Sequence, residues 1–381
     1  MGNFMRNCHY NSLSTRAAMK GFSLVEIMVA LGISLFILAG IGYVYTNSKQ
    51  TYRVQDQLSR LQENGRLAFE YLTRDIRMAG YWGCGTSGMD SDIQYIPPTP
   101  PGKCDAPPRG RVTNTLTDAA TSPYNFGRYI EGFENVNDTT TFAIYPNVQP
   151  KTDVVVLRGA DSLGLRVTKH AGGTPPGSSD IKVNDASQIF EGDILMVTDC
   201  STAGVFQATN VNNKSNVVHN TGNVGGSGDK IVPGNSTNDL CKNYEGGEVF
   251  KAFSRGYYIG KLDSANKPTS AGRPALFRAN FSVSQELVPE VENMQITYGV
   301  DTNDDYFVDT YLAADQVNTA NQWGKVKSVH IELLLVSTED NITSGNVSYR
   351  FPTNASSDTV AKDRRLYYVT STTISIRNRA Q

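Results

Sequence analysis

Residues 22–45 read FSLVEIMVALGISLFILAGIGYVY, 24 residues that are apolar or small apart from Glu26 and the closing tyrosines. A run of this length crosses a bilayer as a single helix. The 21 residues before it hold Arg6, Arg16 and Lys20 and no acid. Those cations keep the leader on the cytoplasmic side, so the rest of the chain emerges on the other face of the membrane.

A secretory signal carries a shorter apolar core followed by a small-residue cleavage site. Here the order is reversed: the small residue Gly21 follows Lys20 and precedes the apolar run. Cutting there retains the whole helix. The residues Lys20-Gly21-Phe22-Ser23-Leu24-Val25-Glu26 resemble the prepilin peptidase site of type IV pilins and type II secretion pseudopilins. The resemblance implies cleavage after Gly21 and N-methylation of Phe22. The 21-residue leader is longer than many in this family, and Met19 is too close to the site to be an obvious alternative start.

A carboxylate at membrane depth costs on the order of 2.5–3.5 kcal/mol, so Glu26 needs a reason to be there. Within the pilin-like reading, it pairs with the positive amine of Phe22 on a neighbouring subunit and sets axial register. The plainer alternative is that Glu26 lies one turn from the headgroups and reaches outward.

Beyond the membrane the periodicity continues. Val54, Leu58, Leu61, Gly65, Ala68, Leu72, Ile76 and Ala79 fall mostly three and four apart, a single buried stripe. No proline interrupts residues 22–79, so the helix can reach about 87 Å at about 1.5 Å per residue. Gly80 is the expected stop.

After it the texture changes to short β-prone runs between Gly, Pro, Asn, Ser and Asp clusters. Expected strands cover 154–158, 165–168, 194–198, 248–253, 256–259, 276–281, 294–299, 326–337, 365–369 and 372–377. The proline-dense stretch 97–108 and the Asn/Gly/Ser-rich stretch 210–238 read as loops. The fold class is α+β: a long N-terminal pilin helix followed by a β-rich globular head. The expected division is leader 1–21, transmembrane half 22–45, periplasmic amphipathic half 46–80 and head 81–381.

Cys8 falls in the leader, which leaves Cys84, Cys104, Cys200 and Cys241, an even number in an exported chain. Two disulfides are expected. Of three connectivities, the grouping along the chain favours Cys84 with Cys104 and Cys200 with Cys241. Four buried free thiols are the alternative, and no C-x-x-C spacing favours zinc.

Several head segments resemble the PilW-type minor pilins. They are Gly192-Asp193 with Asp199-Cys200, Ala203 and Phe206; Tyr257-Tyr258-Ile259 followed by Pro274-Ala275-Leu276-Phe277-Arg278; and Leu287-Val288-Pro289-Glu290-Val291 running on through Tyr298-Gly299-Val300-Asp301. The resemblance implies a low-abundance subunit that primes type IV pilus assembly with other minor pilins and the major pilin, at or near the tip beneath an adhesin. It places the chain in the bacterial inner membrane, head in the periplasm, before assembly, and in the pilus at the cell surface afterwards.

Asp301, Asn303, Asp305 and Asp309 occupy positions 1, 3, 5 and 9 of a calcium-type loop. Tyr306 replaces the turn glycine and Leu312 stands where a closing acid is needed, so an acidic hairpin turn competes with calcium binding. Otherwise no cofactor is expected.

The formal charge of -2, with cations scattered, argues against nucleic acid. Without the leader, 32 basic face 37 acidic side chains. Outside the leader, His170, His219 and His330 stand in no metal spacing, no G-x-S-x-G elbow occurs, and the glycines of 222–228 lack a following Lys-Ser/Thr. The chain reads as a structural protein and not as an enzyme. Two other functions share these features: a minor pseudopilin of a type II secretion system, and an adhesive module displayed on a filament.

Overall fold

A computed structural model describes residues 21–83, 112–136, 145, 148–170, 179–262, 272–281 and 283–379. Cys84, Cys104 and leader residues 1–20 lie outside the described residues. The chain divides into two units, Met1–Arg53 and Val54–Gln381, each described by itself.

One helix, Leu24–Met78, carries the N-terminal part of the chain. Its start is written locally. The Ser23 hydroxyl accepts the Glu26 backbone N–H at 3.1 Å, and the Glu26 carboxylate accepts the Ser23 N–H at 3.3 Å. This reciprocal pair is a capping box, which occupies N–H groups that the first helical turn otherwise leaves bare. The helix stops where Gly80 adopts a positive φ of 71°, a conformation that glycine enters without steric cost. The Gly80 N–H then turns to the Arg158 carbonyl at 2.9 Å.

In the second unit, Leu61, Gly65, Ala68, Leu72, Ile76 and Ala79 are buried. The expected stripe is the stripe observed, with Val54 and Leu58 only partly covered. It packs into one core with Met294, Ile296, Ile331, Leu333 and Leu335. Each such aliphatic side chain contributes about 1.5–3 kcal/mol when removed from water. Gly65 permits the closest approach. A methyl group there would stand 3.2 Å from Thr370 Cγ2 and 3.6 Å from Leu335 Cδ1.

Among the described residues the head has two main sheets and two two-stranded ones. The smaller main sheet is antiparallel, in the order Thr310–Leu312, Val291–Val300, Val326–Val336, Tyr367–Ser375. The larger has 11 strands among the described residues, centred on the antiparallel pair Thr152–His170 and Glu248–Leu262. The first half of Glu248–Leu262 also pairs with Ile194–Thr198, and its second half with Arg273–Asn280.

Three expected pairs of short strands are in fact single long ones. Residues 154–158 and 165–168 join in Thr152–His170, 248–253 and 256–259 in Glu248–Leu262, and 365–369 and 372–377 overlap the one strand Tyr367–Ser375. Glycine weakens a strand locally, but Gly159 opposite Phe253 and Gly256 opposite Val156 are held in register by the partner strand.

Residues 210–238 are not one long loop. They contain the strands Asn210–Asn212, Asn216–Val218, Gly222–Val224 and Lys230–Asn235. Two buried amides organise the region. Asn235 exchanges hydrogen bonds with the Gln207 backbone at 2.7 and 2.8 Å, and the Gln207 side chain bonds Gly192, Val232 and Gly234 at 2.7–2.8 Å. A second core of Leu195, Val197, Phe206, Val217 and Tyr244 packs beside them.

Candidate assembly site

The residues that carry the prepilin-like resemblance cluster at the helix start. Phe22 is 81% exposed, and Glu26 is exposed with its carboxylate turned back onto Ser23. The box is legible in the sequence as Ser-x-x-Glu, yet the membrane cost of Glu26 draws attention away from its local partner. From Leu24 on, the apolar side chains are uncovered within the chain, Phe36 at 83% and Leu35 at 67% exposure. This is the one helix among the described residues long and apolar enough to cross a membrane, and none of its most apolar window is buried.

The second half of the helix is locked to the head by a polar cluster that sequence patterns do not single out. Asp75, 3% exposed, takes an ion pair from Arg255 at 3.0 Å and a hydrogen bond from the Tyr257 hydroxyl at 2.5 Å, with Arg278 at 3.7 Å. Arg255 reaches on to Asp161 at 2.9 Å. Burial, reinforced by the Asp75 charge, holds the Tyr257 phenol far above its usual range, so it stays a donor. Asn64 adds a bond to Glu290 at 2.8 Å. An aspartate on the apolar face reads as a flaw in the stripe until its partners, 180 or more residues away, are seen.

Cys200 and Cys241 are disulfide-bonded. Beside them Lys242 pairs with Asp199 at 2.5 Å and bonds Ser201 at 2.8 Å. Although burial opposes it, the Lys242 contact and the Ser201 and Thr202 donors bring the Asp199 carboxyl down to about 2.

The acidic turn at Asp301 is organised by its own hydrogen bonds. Asp301, fully buried, accepts the backbone N–H groups of Asp305 at 3.2 Å and Tyr306 at 2.9 Å. Asp309 accepts the Thr302 N–H and hydroxyl at 2.7 and 2.6 Å, which draws its pKa down. Asn303 bonds Asp305 at 3.2 Å and Asp309 at 3.4 Å. Lys327 lies 3.6 Å from Asp301. Among the described residues no group of three or more His, Cys, Asp or Glu side chains is placed to hold a metal ion.

The histidines are separated in role. His330 sits on the outer face of the small sheet, bonded to Thr373 at 2.9 Å. His170 and His219 are buried with ring centroids 6.3 Å apart. The Tyr244 N–H donates to His170 Nδ1 at 3.1 Å, which fixes that ring as its Nε2–H tautomer. Loss of solvation, then the neighbouring His170, pushes His219 down to about 3.

Residues 256–378 match the family model of PilW, the type IV pilus-assembly protein W. The chain is also similar to the pilin-like protein PilA3 of Thermus thermophilus, at 34% identity over 81 residues. That alignment spans 20% of this chain and 34% of the relative. No solved structure matches. The chain is thus similar to the type IV pilus-assembly protein W over residues 256–378 and to a pilin-like protein over a shorter stretch, and its N-terminal helix is long and apolar enough to cross a membrane.

Proposed function

We propose that this chain is a minor pilin that helps prime and assemble type IV pili and is held in or near the filament tip. The observation that carries this reading is the helix Leu24–Met78. One half is apolar and uncovered within the chain, and the other is bound into a head whose residues 256–378 are of the PilW type.

Prepilin peptidase cuts after Gly21, and the new amine of Phe22 is methylated. The apolar half waits in the inner membrane, then passes laterally onto other minor pilins and the major pilin, where their helices cover it. Before that step Glu26 is engaged in the capping box with Ser23. Pairing with a neighbour's Phe22 amine draws the carboxylate out of the box, so the same side chain serves the helix start in the membrane and the register in the filament. A charged donor makes a stronger partner for a carboxylate than a neutral N–H. This role calls for no cofactor, and the Asp301–Asp309 turn is held by the backbone N–H groups of Asp305, Tyr306 and Thr302.

Deleting the gene and counting surface filaments tests the proposal. Loss of pili with normal export of folded enzymes is the expected result. Normal pili with failed export would move the chain to a secretion pseudopilus, and normal pili with lost adhesion would make it a displayed binding module.

A further inference from the structure

The helix face opposite the buried stripe carries an ordered row of charges. Glu63, Arg66, Glu70, Arg74 and Arg77 are all exposed, and at about 100° per residue they lie along one line of the helix. Among the described residues none of the five makes an ion pair within the chain, whereas Arg60 on the flank is paired with Asp56 at 3.2 Å. The two acids are seven residues apart, about 10.5 Å along the axis.

We propose that this row is a docking comb for a second, parallel pilin-type helix whose own acidic and basic side chains alternate in the same way. The inference rests on the filament reading above. Charge complementarity names the occupant. Against a neighbour with the same row, a stagger of four residues sets Arg66 beside Glu70 and Glu70 beside Arg74. No stagger sets every charge against its like, and a stagger of seven sets Glu63 against Glu70 while Glu70 meets Arg77. Exposed ion pairs are individually weak, but like charges held face to face are repelled, so a comb selects register more than it adds affinity. The row thus extends axial control from Glu26 into the polar half of the helix, where apolar packing cannot supply it, because the apolar stripe of Leu61, Leu72 and Ile76 is already spent on the head.

The test uses the full-length tagged chain in cells that keep an untagged native copy to make filaments, and measures the tagged chain's ratio between sheared filaments and the membrane fraction. The pair Glu63→Arg/Glu70→Arg and the pair Arg66→Glu/Arg74→Glu should each lower that ratio about tenfold, with the Cys200–Cys241 region still oxidised and the head protease-resistant. Wild-type incorporation of both reversed chains would overturn the comb while leaving the filament reading intact. If the face instead meets anionic lipid headgroups, the two reversals will move membrane retention in opposite directions, which also overturns it. Absence of the unaltered chain from filaments would overturn the filament reading, and the comb with it.

Discussion

The two halves of one helix meet opposite surroundings. In residues 54–79 the apolar positions recur three and four apart and are covered by the head's own sheet, Leu61, Leu72 and Ile76 to full burial. In residues 24–45 apolar side chains point all round and none is covered, Phe36 and Leu35 among them. A stripe can be satisfied by one neighbour within the chain. An all-round apolar surface needs lipid or several neighbouring helices. In the proposed reading the striped half is structure and the all-round apolar half is interface.

That contrast can be broken by substitution. The largest effect is expected from Leu72→Ala, which empties a fully buried site and should lower head stability by about 2–5 kcal/mol in a thermal melt of the detergent-solubilised chain. Leu35→Ala should leave the same melt unchanged, and a comparable loss there would mean the apolar half is also folded against the head. Asp75→Asn is next. It removes the charged acceptor of Arg255 and Tyr257, at a cost of about 1–3 kcal/mol. A neutral result would show the lock to be dispensable beside the stripe.

Ser23→Ala should weaken the helix start by about 0.5–2 kcal/mol, read as amide exchange confined to the first turn. The same change frees Glu26, so incorporation into filaments should persist; loss of incorporation would mean the box itself is required in the assembled state.

Acid separates regions within the head. In the unfolded chain His170 and His219 bind protons near pH about 6.5. Folded, both are depressed by burial, His219 to about 3. The unfolded state therefore binds more protons, and stability falls as pH drops from about 6.5 toward about 3. Amide exchange in Asn216–Val218 should accelerate across that window, and His219→Phe should flatten the response. The smallest effect is expected from calcium: a titration against chelator should leave the melting midpoint where it was, and a rise would assign the Asp301 turn to an ion.

The legible parts of this molecule are those written in local period. The helix, its stripe, its stop at Gly80 and most strand positions follow from spacing three to four, alternation and turn residues. The capping box is equally local, a Ser and a Glu three apart, but the more conspicuous peculiarity of Glu26 masks it. What local period does not carry is long-range. Nothing near Asp75 announces Arg255 and Tyr257, and nothing near residues 210–238 announces that Gln207 and Asn235 will turn polar chain into buried sheet. Strand length is hidden for the same reason, since Gly159 and Gly256 look like breaks until a partner strand holds them.

The measurement that bears most directly on the central claim is peptide mass spectrometry of filaments sheared from the cell surface. The account predicts a peptide that begins at Phe22 and carries a methyl group on its amine. A chain that keeps its leader, or one cut there but confined to the membrane fraction, would contradict it.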